Sequence, residues 1–216
     1  MDGNGRWAKK RLLPRSFGHK SGMNAMIRLA EYAQKAGVKY LTVYALSTEN
    51  LASRPKEEIS ALFSLFRKYF KSNVKKLYSK NARIKVIGDL SALPPDIQKL
   101  LTDGEKNSPE GADFTLVFAI NYGGRAEIVQ AVNRAIERGE KLDESGFGSL
   151  LYTADIPDPD LIIRTGGELR LSNFLTYQTA YSELYFTDVL FPDFSDEEFD
   201  KALNAYAARE RRFGNI

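Results

Sequence analysis

Cysteine is absent from the chain and histidine occurs once, at His19. The first absence excludes disulfides, thiolate metal sites and cysteine nucleophiles together. The second excludes a histidine-rich metal cluster within one chain. Carboxylates, arginines and amides are left to carry any chemistry. No apolar run approaches the roughly 20 residues that span a bilayer, and the opening Met1-Asp2-Gly3-Asn4 is polar where a signal peptide would be apolar. A soluble, cytoplasmic protein is expected, with any peripheral membrane contact coming from a ligand or an exposed apolar patch. Charge of one sign is also scarce: 31 Lys and Arg stand against 28 Asp and Glu, a net of +3. Nucleic acid is therefore not an expected partner unless the basic residues concentrate in one place.

What the 216 residues do contain is a core: 43% are hydrophobic and 12% aromatic, which suits one globular domain. Apolar residues at helical spacing predict a helix over 22–36, stopped by Gly37. Tyr40 to Leu46 reads as a buried strand, and a long, unusually aromatic helix carries Ile59, Leu62, Phe63, Phe66, Tyr69, Phe70 and Val74. Strands follow over 83–87, 114–120, 161–163 and 184–186. Helices are expected after Pro94, over 126–138, around 147–152, and after Ser195, whose partner Glu198 three residues on makes a capping box opening a helix towards Arg212. This alternation predicts an α/β domain with a mostly parallel central sheet flanked by helices, with ligands beyond the carboxyl ends of the strands.

Three polar segments lie where such ligands bind. In Asp2-Gly3-Asn4-Gly5-Arg6-Trp7, followed by Arg15 and Gly18-His19, the glycines let backbone approach a phosphate while Arg6 and Arg15 add charge. Asp2 would repel that polyanion unless a cation sat between them, and a hard oxygen site shared with phosphate suits Mg2+. A glycine turn with a capping Asp explains the same residues structurally. The second segment, Arg164-Thr165-Gly166-Gly167-Glu168-Leu169-Arg170-Leu171-Ser172, leaves a strand and is expected to enter a helix. Its two arginines and hydroxyl suit a second phosphate group, and Glu168 could pair with Arg164 or Arg170. The third is Ser47-Thr48-Glu49-Asn50 with Arg54, which also reads as an N-cap and turn.

These blocks, with the Asn121-Tyr122-Gly123-Gly124-Arg125 turn, the 180–194 stretch and the closing Glu210-Arg211-Arg212-Phe213-Gly214, resemble the signature blocks of cis-prenyltransferases, especially bacterial undecaprenyl diphosphate synthases. The resemblance covers almost the whole chain. It implies an enzyme that condenses isopentenyl diphosphate with an allylic diphosphate, such as farnesyl diphosphate. The product would be a long-chain polyprenyl diphosphate such as undecaprenyl diphosphate, precursor of the cell-wall lipid carrier. Asp2 would hold Mg2+ against an allylic diphosphate cradled by Gly3, Asn4, Gly5 and Arg6, with Arg15 and His19 closing the pocket. Trp7 and Leu51 would line the prenyl end, Ser47, Thr48 and Glu49 would border the substrate, and Arg54 would reach a phosphate. Arg164, Arg170, Leu171 and Ser172 would take isopentenyl diphosphate, and Asn50 would stand near the proton-transfer step. Glu183 of the partner subunit would complete the metal site in a homodimer, and Arg212 with Gly214 would cross between subunits.

The resemblance further implies a dry tunnel for the growing chain, with the aromatic helix and the 114–120 strand as its walls. Core packing explains the same side chains. Two departures stand out: Leu51 occupies a position where many relatives have tryptophan, and the interval from Asn50 to Arg54 is one residue longer than usual. Relatives also carry an apolar strand just before the first motif, which this sequence does not include. Of the rival readings, a trans-prenyltransferase needs aspartate-rich helices, whereas Asp155, Asp158 and Asp160 are interrupted by prolines. A non-catalytic diphosphate-binding subunit need not keep Asp2 and both basic segments.

Overall fold

The computed structural model describes residues 1–209. Arg212 and Gly214, expected to reach across a subunit boundary, lie outside the described residues. In chain order the elements are α1 (Asn4–Lys10), α2 (Arg15–Lys35), β1 (Tyr40–Ser47), α3 (Thr48–Ser53), α4 (Lys56–Ser79), β2 (Ala82–Ile87), α5 (Pro95–Lys106), β3 (Phe114–Tyr122), α6 (Gly124–Arg138), α7 (Glu144–Gly148), β4 (Leu161–Arg164), β5 (Glu183–Phe186) and α8 (Asp196–Ala207). Among the described residues every strand pairing is parallel, and helices separate the strands as the α/β expectation required as far as β4, which β5 follows with no helix between them. The strands form a three-stranded ladder in the order β1-β3-β2 and a separate β4-β5 pair. By contact the chain divides into two compact units, 33–157 and 1–32 with the segment from 158 onward. Among the described residues no helix is long and apolar enough to cross a membrane.

The first unit is built on β3. All nine of its residues are buried, as a central parallel strand with both faces covered demands. Phe118 from this strand meets Phe66 of α4 edge-on at 6.1 Å, and Phe70 lies 5.3 Å from Phe66, so the aromatic face of α4 packs on the sheet. Gly104 on α5 makes room for this: a Cβ there would stand 2.4 Å from the Phe70 ring. At the carboxyl end of β3 the fully buried Glu127 accepts hydrogen bonds from the Tyr122 hydroxyl at 2.6 Å and the Tyr152 amide at 2.8 Å, which accounts for both its oxygens.

The second unit holds α1, most of α2, β4, β5 and α8. The predicted start of α2 at Gly22 falls seven residues late, because Gly18 and Gly22 lower helix propensity locally. Both are there for contact: a Cβ on Gly18 would lie 2.0 Å from the Asn4 carbonyl oxygen, and one on Gly22 2.3 Å from Asn4 Oδ1. Further along, Arg28 donates to Asp196 at 2.6 Å and Tyr32 to Asp200 at 2.7 Å, tying α2 to α8. Ser195 caps α8 by accepting from the Glu198 amide, while the Glu198 carboxylate pairs with Lys201, so half of the expected capping box forms.

Candidate active site

Arg164 ends β4, and the chain then turns without forming the helix expected after it. The 165–175 stretch instead carries five residues in the left-handed region: Gly166 and Gly167, where no Cβ resists it, and Ser172, Asn173 and Leu175, where one does. This backbone folds the Ser172 hydroxyl back to accept from Arg164 Nη1 at 2.7 Å, and the same nitrogen donates to the Arg170 carbonyl. Arg164 Nη2 reaches Asp2 Oδ2 at 3.1 Å, and Asp2 Oδ1 stands 3.3 Å from Arg6 Nη2 one turn along.

Glu168 closes the group, 2.5 Å from Arg170 and 3.9 Å from Arg6. Three guanidiniums and two carboxylates therefore alternate in one network, with positive charge in excess. The Glu168–Arg170 pair matches one of the two pairings expected from sequence; Arg6 is the second partner.

Burial would push the Asp2 carboxyl up, but the Arg164 hydrogen bond, with the charges of Arg6 and Arg164, outweighs it and holds the group below its ordinary value of 3.8. Asp2 is thus a carboxylate at neutral pH. Its backbone is fixed by Thr165, a residue only 3% exposed. The Thr165 hydroxyl donates to the Asp2 carbonyl at 2.8 Å and accepts from the Asp2 amide at 3.1 Å. Thr165 is the residue for which the motifs suggest no role, and for Glu168 they suggest an ion pair with Arg164 or Arg170 but not the contact with Arg6. No spacing rule points to a pairing across 163 positions, whereas Glu168 lay visibly between two arginines.

Close approach decides the glycines here. A Cβ on Gly166 would meet Arg6 Nη2 at 2.6 Å, and one on Gly167 would meet Asp188 Oδ1 at 2.8 Å. Gly3, with φ +109, lies against Leu190, and Gly5 lies under the Arg15 side chain. His19 follows Arg15 by one turn of α2 and is half-buried. The Trp7 indole donates to Asp193 at 2.6 Å, with the Arg11 guanidinium 4.1 Å above the ring and itself 3.2 Å from Asp193. Leu171 is half-buried beside Ser172.

Glu183 opens β5 and pairs with Arg209. Among the described residues no group of three or more acidic or histidine side chains could hold a metal.

The Ser47–Arg54 segment belongs to the other unit. The expected N-cap forms, Ser47 accepting from the Asn50 amide at 3.1 Å, but it opens the short helix α3 where a turn was expected. Thr48, Glu49, Asn50 and Leu51 occupy its first turns, and Arg54 pairs with Glu58 at 3.0 Å.

The family model described as "Putative undecaprenyl diphosphate synthase" matches residues 1–214. The chain belongs to the cis-prenyltransferase family. It is 52% identical to the isoprenyl transferase of Fusobacterium nucleatum, across all of this chain and 94% of that one. It is 48% identical to that of Aquifex aeolicus with the same coverage. Among solved structures it is similar to lavandulyl diphosphate synthase from Lavandula x intermedia in complex with dimethylallyl diphosphate: TM-score 0.94, 36% identity, covering 100% of this chain and 95% of that one. A probable undecaprenyl diphosphate synthase from Campylobacter jejuni gives a TM-score of 0.81 at 35% identity, covering 91% of this chain and 93% of that one. A prenyltransferase of this family therefore carries the Asp2–Arg164 network on its β4 exit.

Proposed function

We propose that this prenyltransferase adds isopentenyl diphosphate to an allylic diphosphate, farnesyl diphosphate being the expected primer. The expected product is a long-chain polyprenyl diphosphate such as undecaprenyl diphosphate, destined for the cell-wall lipid carrier. The observation that carries this reading is the convergence of Arg6, Arg164, Arg170 and Ser172 around one ionised carboxylate, Asp2. The dimethylallyl diphosphate bound in the lavandulyl enzyme, an allylic diphosphate, supports the substrate class.

Ionisation of the primer leaves negative charge on its diphosphate. Preorganised guanidiniums stabilise that charge more than they stabilise the neutral ester, which is the requirement for rate acceleration. Arg6 is the candidate for this group. Arg164, Arg170 and Ser172, held together by the left-handed turn, would grip isopentenyl diphosphate so that its double bond lies within reach of the allylic carbon. Glu168 holds Arg6 and Arg170 in the free protein and would release donors to incoming phosphate oxygens.

Asp2 suits Mg2+, which takes one or two carboxylates and fills its shell with phosphate oxygens and water. Asp2, with Glu183 of the partner subunit, would hold the ion, which when bound supplies Lewis-acid stabilisation of the leaving group. An exposed apolar stripe on α6, Val129 at 60%, Val132 at 43% and Ile136 at 71%, supports a homodimer. Asn50 is a neutral amide and a poor base, so we assign it an orienting role and give the departing proton to a diphosphate oxygen. The aromatic face of α4 on β3 is the proposed wall for the growing chain.

The test is incubation with labelled isopentenyl diphosphate, farnesyl diphosphate and Mg2+, followed by chromatography of the lipid products. A ladder of elongated prenyl diphosphates is expected. Consumption of primer without carbon–carbon bond formation would refute the proposal. Full stereoselective turnover by Asn50→Asp would refute the role given to Asn50.

A further inference from the structure

Between Gly3 and Ala30 the sequence holds seven Lys and Arg and no Asp or Glu. Five of these, Lys9, Lys10, Arg11, Arg15 and Lys20, flank the turn that joins α1 to α2, and all nine residues of 9–17 are exposed. The turn is hydrogen-bonded. The Leu13 amide donates to the Ala8 carbonyl at 3.0 Å and the Leu12 amide to the Lys9 carbonyl at 3.1 Å, the paired bonds of a Schellman ending. In that motif the residue in Leu12's position adopts left-handed backbone and is usually glycine.

Leu12 has φ +55, and its side chain is 95% exposed. One residue therefore combines backbone strain with a fully hydrated apolar side chain, where glycine would avoid both. Phe17, 50% exposed, and Leu13, 37% exposed, stand close by in sequence. Single exposed apolar residues are ordinary, but three within six positions, framed by like charge on a hydrogen-bonded turn, are not.

We propose that the α1–α2 turn is a docking element for an anionic lipid surface, with Leu12, Leu13 and Phe17 entering the headgroup boundary and Lys9, Lys10 and Lys20 meeting lipid phosphates. Charge argues against the other occupants. Two copies of this turn brought together would face each other with the same sign, whereas the α6 stripe, with Glu137 beside Arg134 and Arg138, has no such bias. A nucleic acid would use the lysines but leaves Leu12 and Leu13 without purpose. The inference does not rest on the reaction proposed above.

Sedimentation of the full chain with phosphatidylglycerol vesicles and with phosphatidylcholine vesicles tests it. The wild type is expected to bind the anionic vesicles preferentially and in a salt-sensitive manner. Lys9→Glu/Lys10→Glu should weaken that binding by about tenfold or more. Leu12→Gly/Phe17→Ser should weaken it by about tenfold while melting no lower than the wild type, since glycine suits the Leu12 backbone. Equal binding to both lipids, or anionic binding unchanged in both variants, would overturn the proposal. So would a Leu12→Gly/Phe17→Ser protein that changes oligomeric state yet binds vesicles normally, or an RNA oligonucleotide that abolishes wild-type vesicle binding and is itself bound equally by that variant.

Discussion

Replacing Thr165 by valine would keep the volume of a side chain that is 3% exposed and remove both hydrogen bonds that fix Asp2. The two lost bonds are not equivalent. The Asp2 carbonyl also accepts from the Phe191 amide at 3.0 Å and stays satisfied, whereas the Asp2 amide has Thr165 Oγ1 as its recorded acceptor. Stranding a part-buried amide costs about 1–3 kcal/mol, and loss of a bond whose acceptor is still served adds about 0.5–1 kcal/mol. A total of about 1.5–4 kcal/mol follows, or a melting-temperature drop of roughly 3–16 °C for a chain of this size. Denaturant unfolding measures the energy. Activity at varied Mg2+ separates positioning from mere stability, because a displaced Asp2 should raise the Mg2+ requirement and lower kcat while the KM for isopentenyl diphosphate changes little. Thr165→Ser keeps the hydroxyl and should restore both. A Thr165→Val protein with wild-type stability and wild-type Mg2+ dependence would refute the reasoning.

Gly18→Ala would place a methyl 2.0 Å from the Asn4 carbonyl oxygen, which is backbone and cannot rotate away. A loss of at least about 2 kcal/mol in denaturant unfolding is expected, with reduced turnover because α1 carries Arg6. Gly104→Ala meets the Phe70 ring instead, inside the α4–β3 packing, and a smaller loss of about 1–3 kcal/mol is expected by the same measurement. Asp2 has its folded-state pKa lowered, so its contribution to stability is present above the ordinary carboxylate value of 3.8 and is lost as pH falls below it. Unfolding curves of wild type and Asp2→Asn should therefore differ at neutral pH and converge as pH falls below 3.8. Glu105, whose pKa burial raises, titrates in both proteins and cancels in that difference.

Much of this fold was legible because burial writes itself into residue type. The apolar run of β3, the β-rich run of β1, and Gly37 with φ +83 all announced their elements. Short elements were not. The helix α1 is seven residues long with glycines at its start, so Asp2 to Trp7 also read as a glycine turn; α3 was hidden because Ser, Thr and Asn favour turns as well as caps. The turn after β4 depends on left-handed Ser172 and Leu175, which their residue types do not favour and which tertiary contacts impose.

The site divides in the same way. Its arginines, Asp2 and Ser172 were visible as phosphate-binding chemistry, and the structure brings them together. The Arg54–Glu58 pair follows from i,i+4 spacing, whereas the family resemblance implies a phosphate contact for Arg54. Thr165 could not be read at all, since its function is a contact across 163 positions.

The account depends most on two diphosphates lying side by side in the Asp2–Arg164–Arg170 network. A crystal structure with Mg2+, isopentenyl diphosphate and an allylic thiodiphosphate that cannot ionise tests this directly. The prediction is one diphosphate on Arg164, Arg170 and Ser172, and the other reaching Arg6 and, through the metal, Asp2. Diphosphates bound in separate clefts, or one of them bound away from these residues, would contradict it.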